Sequence, residues 1–428
     1  MRLVLVFFLL IIVILCTDSI YVVVDTFQDV CYDDQKEVDT CPDEGSTYYG
    51  QDAQYEGTQA SYVDNLDGTI LDQNTGLLWQ KDPTTTKKYF DDALEEADTF
   101  TLGDCPDGWR LPSIQELYTL IDFRGLEAQN AEDMIPFIDT DYFDFYYGNE
   151  STERLIDAQY WSSNEYLGTT MVNDECVFGV NFADGRIKCY PNNQYEGAKK
   201  MSFVRYVCDN PDYATNDFLD NGDDTISDSG TKLMWSKTDS GDTGMNWEEA
   251  LEYAESSTHA NYTDWRLPNI KELHTIVNYD RAPDSKDSTK VGPAIYTPFE
   301  ISDDANYFWS STTHNIGSGA YVAFRQAWGW IEDSDTGEWE KLNVHGAGAQ
   351  RSDPKSGDPD DYPHGHGPQG DMISIYNYVR IVRDYDPSDN NDDDDDDNDN
   401  NTSSTSSSLS LNLFLCALLF CLLQFLYT

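Results

Sequence analysis

The sequence predicts an α+β protein that contains two tandem copies of one domain. The segment "WRLPSIQELYT", which starts at Trp109, recurs as "WRLPNIKELHT" from Trp265, with eight of eleven residues identical and a shift of 156. "TILDQNTGLLW" and "TISDSGTKLMW" recur at the same shift. In both copies, apolar residues at helical spacing precede segments with strand-like alternation. Because two motifs keep one spacing, the repeat indicates a duplicated domain with helices and strands.

Within each copy, the motifs predict a β-hairpin, two helices and then short antiparallel strands. The "TILD" and "TISD" segments, with the turns after them, predict the hairpin. The second helix begins after Leu-Pro, where Ser113 or Asn269 is the N-cap and Glu116 or Glu272 completes a capping box. "YWSS" and "FWSS", "VNF" and "VAF", and "VRYV" and "VRIV" predict the strands. The first helix presents a narrow apolar stripe, formed by Phe90, Ala93, Leu94 and Ala97 in copy one and by Trp247, Ala250, Leu251 and Ala254 in copy two.

The two ends of the chain predict export and attachment to a membrane. Arg2, an apolar run and a small polar stretch indicate a signal peptide. A bacterial lipoprotein modified at Cys16 is the alternative, but Leu15 stands where a small residue would be needed. At the other end, a Ser/Thr spacer and an apolar run without a following Lys or Arg favour a GPI signal over a plain tail anchor. Spacer length favours Asn400 as the attachment residue, so we expect a GPI-anchored protein at the plasma membrane surface.

These signals and the repeat divide the chain into seven predicted segments. They are a signal peptide at 1–19, an N-terminal extension at 20–62, a first domain at 63–208, a linker at 209–216, a second domain at 217–383, an acidic stalk at 384–400 and a GPI attachment signal at 401–428.

Charge limits the partners of the chain. Its 428 residues include 79 Asp and Glu against 26 Lys and Arg, which gives a net charge of −53. Such a surface argues against nucleic acid, heparin-like polyanionic glycans and anionic lipid as partners. An extracellular glycan or protein ligand, and divalent cations, remain open.

The cysteines and sequons agree with an extracellular location. Six of the nine cysteines lie outside the predicted terminal segments, and an even number in an exported chain indicates disulfides. A shared hairpin suggests Cys176 with Cys189, and proximity in sequence suggests Cys31 with Cys41, which leaves Cys105 with Cys208, although six cysteines allow about fifteen connectivities. N-glycosylation sequons at Asn149 and Asn261 predict a glycoprotein.

The ordered set of motifs resembles a known family. "TGLLWQK", "DGWRLPSIQEL", "YWSS", "VNFADG" and "VRYV" in copy one, and their counterparts in copy two, are similar to the Lcl C-terminal domain, over about residues 65–383. The resemblance implies two C-type lectin-like domains and a role in extracellular binding or adhesion. It also leads to two alternatives: an extracellular enzyme on a fold like that of the formylglycine-generating enzyme, or a structural surface-coat protein. No catalytic constellation stands out in the sequence, so we expect no enzyme.

Copy two carries the candidate binding residues, because it has an insertion that copy one lacks. Trp328 and Trp330 alternate on a predicted strand and, with Trp339, could form an aromatic platform, although hairpin packing is the competing interpretation. The six repeated tryptophans are interpreted as core. No cofactor is predicted, although the Asp-rich turns at 64–72 and 220–228 offer oxygen ligands for calcium. The remaining metal candidates are weak: Asp360, His364, His366 and Asp371.

Overall fold

The structure is a computed structural model that describes residues 21–128, 130–192 and 199–385. The described residues belong to one compact unit. None of the helices in this part of the chain has the length and apolar character needed to cross a membrane.

The two copies share one order of elements, to which copy two adds a pair of strands, β13 and β14. Copy one consists of β1 Tyr62–Asp64, β2 Thr69–Asp72, β3 Leu78–Gln80, α1 Phe90–Ala97, α2 Ile114–Thr119, β4 Gln159–Glu165, β5 Cys176–Asn181, β6 Arg186–Pro191 and β7 Val207–Cys208. Copy two consists of β8 Phe218–Asp220, β9 Thr225–Asp228, β10 Leu233–Ser236, α3 Trp247–Glu255, α4 Ile270–Thr275, β11 Tyr307–Asn315, β12 Ser318–Ala323, β13 Trp328–Glu332, β14 Trp339–Asn343, β15 Gln350–Pro354 and β16 Val382–Asp384.

The predicted fold class, an α+β pair of C-type lectin-like domains, is wrong. Strand residues outnumber helical residues, 28% against 11%, and form four sheets, whereas the helices have only eight, six, nine and six residues. The predicted helices are present, but all four are short. Leu-Pro keeps the chain extended just before each second helix, and turns follow the last residue of each helix. The largest sheet includes strands from both copies, and sequence periodicity does not reveal such distant partners.

The second helix of each copy begins as the motif predicts. The Ser113 hydroxyl accepts from the Glu116 backbone N–H, and the Glu116 carboxylate accepts from the Ser113 N–H at 2.7 Å. Asn269 and Glu272 form the same capping box in copy two. The apolar faces of these helices are buried, whereas Leu94 of the first helix is 41% exposed, so the predicted stripe is incomplete in copy one.

One six-stranded sheet joins the two copies. Its order is β11-β12-β15-β6-β5-β4, so each copy contributes three consecutive strands, and the third strands meet at the centre. Val180 pairs with Ile187 in copy one and Val322 pairs with Gln350 in copy two, which makes Ile187 and Gln350 equivalent. These two residues pair with each other across the junction. The copies are therefore related by an approximate two-fold axis that passes between β6 and β15, and we call this junction the seam.

The helices obey the same symmetry. Tyr118 of α2 and His274 of α4 occupy equivalent repeat positions, and their ring centroids lie 4.5 Å apart. Residues of both helices and both halves of the sheet bury their side chains in one central cluster, while each copy has a smaller cluster of its own. The largest apolar core therefore belongs to the two copies jointly.

The N-terminal extension packs across both copies. The Lys271 ammonium donates to the backbone carbonyls of Asp25 at 2.8 Å and Thr119 at 3.0 Å. Gln28 exchanges two hydrogen bonds with the Thr313 backbone, at 2.7 and 2.8 Å. These contacts are buried, so the extension is a structural part of the folded unit.

Asp52 is a buried carboxyl in this extension, and we expect it to make stability depend on pH. Its Oδ2 accepts from the hydroxyls of Thr26 at 2.8 Å and Thr312 at 2.5 Å. Burial raises the pKa of Asp52 from 3.8 to about 7, although both hydroxyls act to lower it. The folded protein thus keeps a proton that the unfolded chain releases near pH 4. The contribution to stability is complete below that pH and falls as the pH rises toward 7.

We predict that Asp52→Asn gains stability relative to wild type as the pH rises from 5 to 7.5, by on the order of a few kcal/mol, since one pKa unit corresponds to about 1.4 kcal/mol. Urea unfolding at both pH values measures this difference in the free energy of unfolding. Glu95→Gln is the control, because Glu95 is exposed and its substitution leaves the pH dependence unchanged. A constant difference between wild type and Asp52→Asn would contradict the assignment.

Candidate functional site

Three disulfide bonds stabilise the described part of the chain. Cys31 bonds to Cys41, Cys105 to Cys208 and Cys176 to Cys189, which are the pairs suggested from the sequence. The last bridge joins β5 to β6, next to the seam. All six cysteines of the predicted mature chain are therefore bonded.

Several predictions concern residues at the surface or outside the described part. Asn149 is exposed at a turn and Asn261 ends a short 3-10 turn, so both sequons lie in irregular surface segments. Asn400, the signal peptide and the GPI signal lie outside the described residues, as does most of the predicted stalk. Attachment to a membrane and glycosylation stay predictions.

The repeated tryptophans and arginines have structural roles. Trp79, Trp109, Trp161, Trp235, Trp265 and Trp309 are all buried, which confirms their interpretation as core. Arg110 forms two hydrogen bonds to the capping carboxylate of Glu116, at 2.7 and 2.6 Å, and Arg266 does the same with Glu272. In each copy the motif's arginine thus holds the capping carboxylate at the start of the second helix, and both groups are already hydrogen-bonded to each other.

The predicted aromatic platform lies on a two-stranded ribbon formed by β13 and β14. Trp330 stands opposite Lys341, and Glu332 stands opposite Trp339. Directly opposite residues in an antiparallel pair project from the same face, as do residues two apart on one strand. Trp328, Trp330 and Trp339 therefore share one face of the ribbon, which we call the aromatic face.

The aromatic face is partly open to solvent. Trp328 and Trp330 are half-buried, and Trp339 is 39% exposed. The Lys341 ammonium lies 5.0 Å from the centre of the Trp328 ring, and the His364 ring stacks on Trp339 with centroids 4.0 Å apart. Lys341 and His364 therefore each lie over one face of a tryptophan ring, and a ligand would stack against the ring surface that they leave exposed.

The four weak metal candidates do not converge. His364 stacks on Trp339, Asp360 is exposed in a short 3-10 turn, and His366 pairs with Asp371 only through backbone atoms. Across the described ranges, no group of three or more His, Cys, Asp or Glu is arranged to hold a metal ion.

In the Asp-rich turns considered for calcium, the carboxylates bind nearby lysines and backbone N–H groups. Asp64 forms an ion pair with Lys81 at 2.6 Å, and Asp220 pairs with Lys237 at 3.0 Å. Asp72 and Asp228 accept from backbone N–H groups of their own turns. These contacts are those of Asx turns in hairpins.

A cleft of about 690 Å³ opens beside the seam, and we call it the seam cleft. Strands β5, β6, β12 and β15 line it together with the loop at 362–373, so both copies contribute. Its volume lies within the range of small-molecule sites, roughly 300–1,000 Å³. Its charged lining residues are Glu127, Arg154, Asp157, Asp184, Arg186, Lys188, Arg351 and Asp371.

Three of the four cations in the seam cleft have an acidic partner. Arg154 pairs with Asp157 at 2.6 Å. Arg186 pairs with Glu127 at 2.5 Å. The remaining guanidinium, that of Arg351, donates from Nη2 to the Asp371 carboxylate. Because each of these three arginines has an acidic partner, the fourth cation is the one with the most capacity to bind an anionic group.

Asp371 anchors the loop over the cleft. His345 Nε2 lies 2.7 Å from Asp371 Oδ1, and Arg351 binds the other carboxylate oxygen. Burial acts to raise the pKa of Asp371, but Arg351 and His345 together hold it well below its ordinary value. Burial lowers the pKa of His345 to about 4, so a neutral imidazole donates to a charged carboxylate at pH 7.

The fourth cation, Lys188, has no carboxylate within ion-pair distance among the described residues. Its ammonium donates to Gln369 Oε1 at 2.9 Å and lies 5.1 Å from the centre of the Tyr190 ring. Burial, reinforced by the nearby Arg351 charge, lowers the pKa of Lys188 to about 8. The ammonium is therefore charged at pH 7 and keeps unused donor capacity.

The seam cleft was not predicted from the sequence, although one signal of it was present. Arg186 and Lys188 alternate on a strand just after "VNFADG", in a chain where basic residues are scarce. That alternation places both on one face of β6. Arg351 could not have been connected with them, because nothing in the sequence shows that β15 pairs with β6.

Comparisons with known proteins support one family. Residues 68–207 and 224–344 each match the Lcl C-terminal domain. No curated protein and no solved structure matches the chain. The second match ends at residue 344, short of the 383 expected from the resemblance, so Arg351, Asp371 and the loop over the seam cleft lie beyond it. Because the two matches together cover more than half of the sequence, this chain belongs to the Lcl C-terminal domain family and carries two tandem copies of that domain.

Proposed function

We propose that this protein is an extracellular binding protein, attached to the cell surface by a GPI anchor, that acts in adhesion or ligand capture through its aromatic face. The single observation that carries the binding role is the strand register that places Trp328, Trp330 and Trp339 on one partly exposed face. Membership of the Lcl C-terminal domain family supports a role at the cell surface.

The surroundings of the aromatic face favour a neutral glycan as its ligand. Glu332 and Lys341 stand on the same face as the tryptophans and offer one charge of each sign. The turn that joins the two strands adds Asp333, Asp335 and Glu338. A polyanion would be repelled by these acids, whereas the apolar face of a neutral sugar ring can stack on indole without charge repulsion.

We predict that Trp328→Ala and Trp330→Ala weaken binding of the ectodomain to its glycan by roughly tenfold or more, since buried aromatic anchors dominate binding energy. A glycan and protein-ligand array with the wild-type ectodomain, run with calcium and with chelator, identifies the ligand and any need for the ion. Titration of both variants against that ligand then measures the loss.

Tyr376→Ala is the matched control, because Tyr376 is 46% exposed and lies outside the ribbon. It should bind like wild type, and circular dichroism should show that all variants are folded. Unchanged affinity in both tryptophan variants would exclude the aromatic face as the ligand surface.

The GPI anchor is a separate part of the proposal, supported by the Ser/Thr spacer and the apolar run at 409–427. We predict that phosphatidylinositol-specific phospholipase C releases the protein from intact cells into the medium, with full ligand-binding activity. Spacer length favours Asn400 as the attachment residue, with Asn398 and Asn401 as close alternatives. Replacement of all three by bulky residues should prevent attachment at the cell surface. Retention of the wild-type protein after phospholipase treatment, with release only by detergent, would support a tail anchor.

A further inference from the structure

The seam cleft contains a charge without a partner. The three arginines that line it are paired with acids, whereas Lys188 has only the Gln369 amide and the Tyr190 ring among the described residues. A recessed ammonium without a counter-ion is unfavourable, because no nearby negative charge offsets its loss of hydration. An anionic group placed beside Lys188 would supply the missing charge.

Other groups at the seam cleft lack hydrogen-bond partners of either kind. Arg351 Nη1 and Nε are donors without an acceptor, and Asp184 Oδ1 and Asn315 Oδ1 are acceptors without a donor, within the described ranges. Buried polar groups are normally paired, and these four atoms belong to residues that line one cleft. A ligand that both donates and accepts hydrogen bonds would satisfy them with modest adjustment of these side chains.

The rest of the lining indicates a small, hydroxylated ligand with one negative charge. Amide and hydroxyl side chains such as Gln159, Ser318 and Ser352 line the cleft, together with the Tyr362 ring. The cleft has four acids, Glu127, Asp157, Asp184 and Asp371, against three arginines and Lys188, so it is neutral overall. Within the described residues, Lys188 is the cleft cation that has no carboxylate within ion-pair distance. A second or third negative charge on the ligand would therefore meet repulsion.

We propose that the seam cleft is a second ligand site, which binds a monocarboxylated sugar with its carboxylate on the Lys188 ammonium and its hydroxyls on the amide and hydroxyl side chains of both copies. The site is distinct from the aromatic face, because none of the three tryptophans lines it. The loop at 362–373 contacts both sites, since the Gly370 carbonyl accepts from the Trp330 N–H at 2.7 Å and the Met372 N–H donates to the Trp328 carbonyl at 2.9 Å. These are backbone contacts, so replacement of the indoles leaves the donors and acceptors in place. The site also depends on residues beyond the second family match.

The test compares glucuronate with glucose, which differ by the carboxylate alone, by isothermal titration with the full ectodomain at pH 7. Wild type should bind glucuronate at least roughly tenfold more tightly than glucose, as one charge-assisted contact would give. Lys188→Met should abolish that preference, whereas Lys188→Arg should keep most of it. Trp328→Ala with Trp330→Ala should leave it unchanged, which separates this proposal from the proposed function of the aromatic face.

Thermal unfolding of Lys188→Met distinguishes a ligand site from a structural cation. Methionine fills the same space without an unpaired charge, so the melting temperature should be equal to or higher than that of wild type. A lower melting temperature would assign Lys188 to stability alone and overturn the proposal. Equal affinity for glucuronate and glucose in wild type, or tighter binding of a heparin fragment than of glucuronate, would overturn it as well.

Discussion

The pairing of β6 with β15 is the contact on which the rest of the structure depends. Each copy builds a three-stranded sheet that ends in one of these strands, and an unpaired edge strand exposes hydrogen-bonding groups to other chains. The two edges pair at Ile187 and Gln350, and the Cys189 N–H beside this pair donates to the His345 carbonyl at 3.0 Å. The second helices of the two copies meet over one central core. The seam cleft exists for the same reason, since Lys188 comes from one strand and Arg351 from the other.

The scarce basic residues of this acidic chain are concentrated where they hold the fold together. Arg205 donates to the backbone carbonyls of Gln80 and Asp144, and Arg380 repeats the arrangement in copy two, while Lys271 fastens the N-terminal extension. Acidic residues outnumber basic ones by 79 to 26 in the sequence, and we expect this excess of negative charge to disfavour polyanionic ligands. The two ligand sites that we propose are the tryptophan rings on the ribbon and a recessed cleft in which Lys188 has no carboxylate within ion-pair distance among the described residues.

Local features could be predicted from the sequence, whereas contacts between the copies could not. The capping boxes at Ser113 and Asn269 and the hairpins depend on neighbours in the chain, and the structure contains them. The fold class failed because strand partners far apart in sequence leave no periodic signal. The alternation of Trp328 and Trp330 predicted a shared face. Lys188 could not be identified as a candidate binding residue from the sequence, because only the described structure shows that no carboxylate lies within ion-pair distance of it.

Scanning calorimetry of the intact ectodomain tests most directly whether the two copies form one folded unit through the seam. Joined by one sheet and one central core, they should unfold in a single transition whose calorimetric enthalpy equals the van't Hoff enthalpy. Two separate transitions, or a calorimetric enthalpy about twice the van't Hoff value, would show that the copies unfold independently and would contradict a structure organised around β6 and β15.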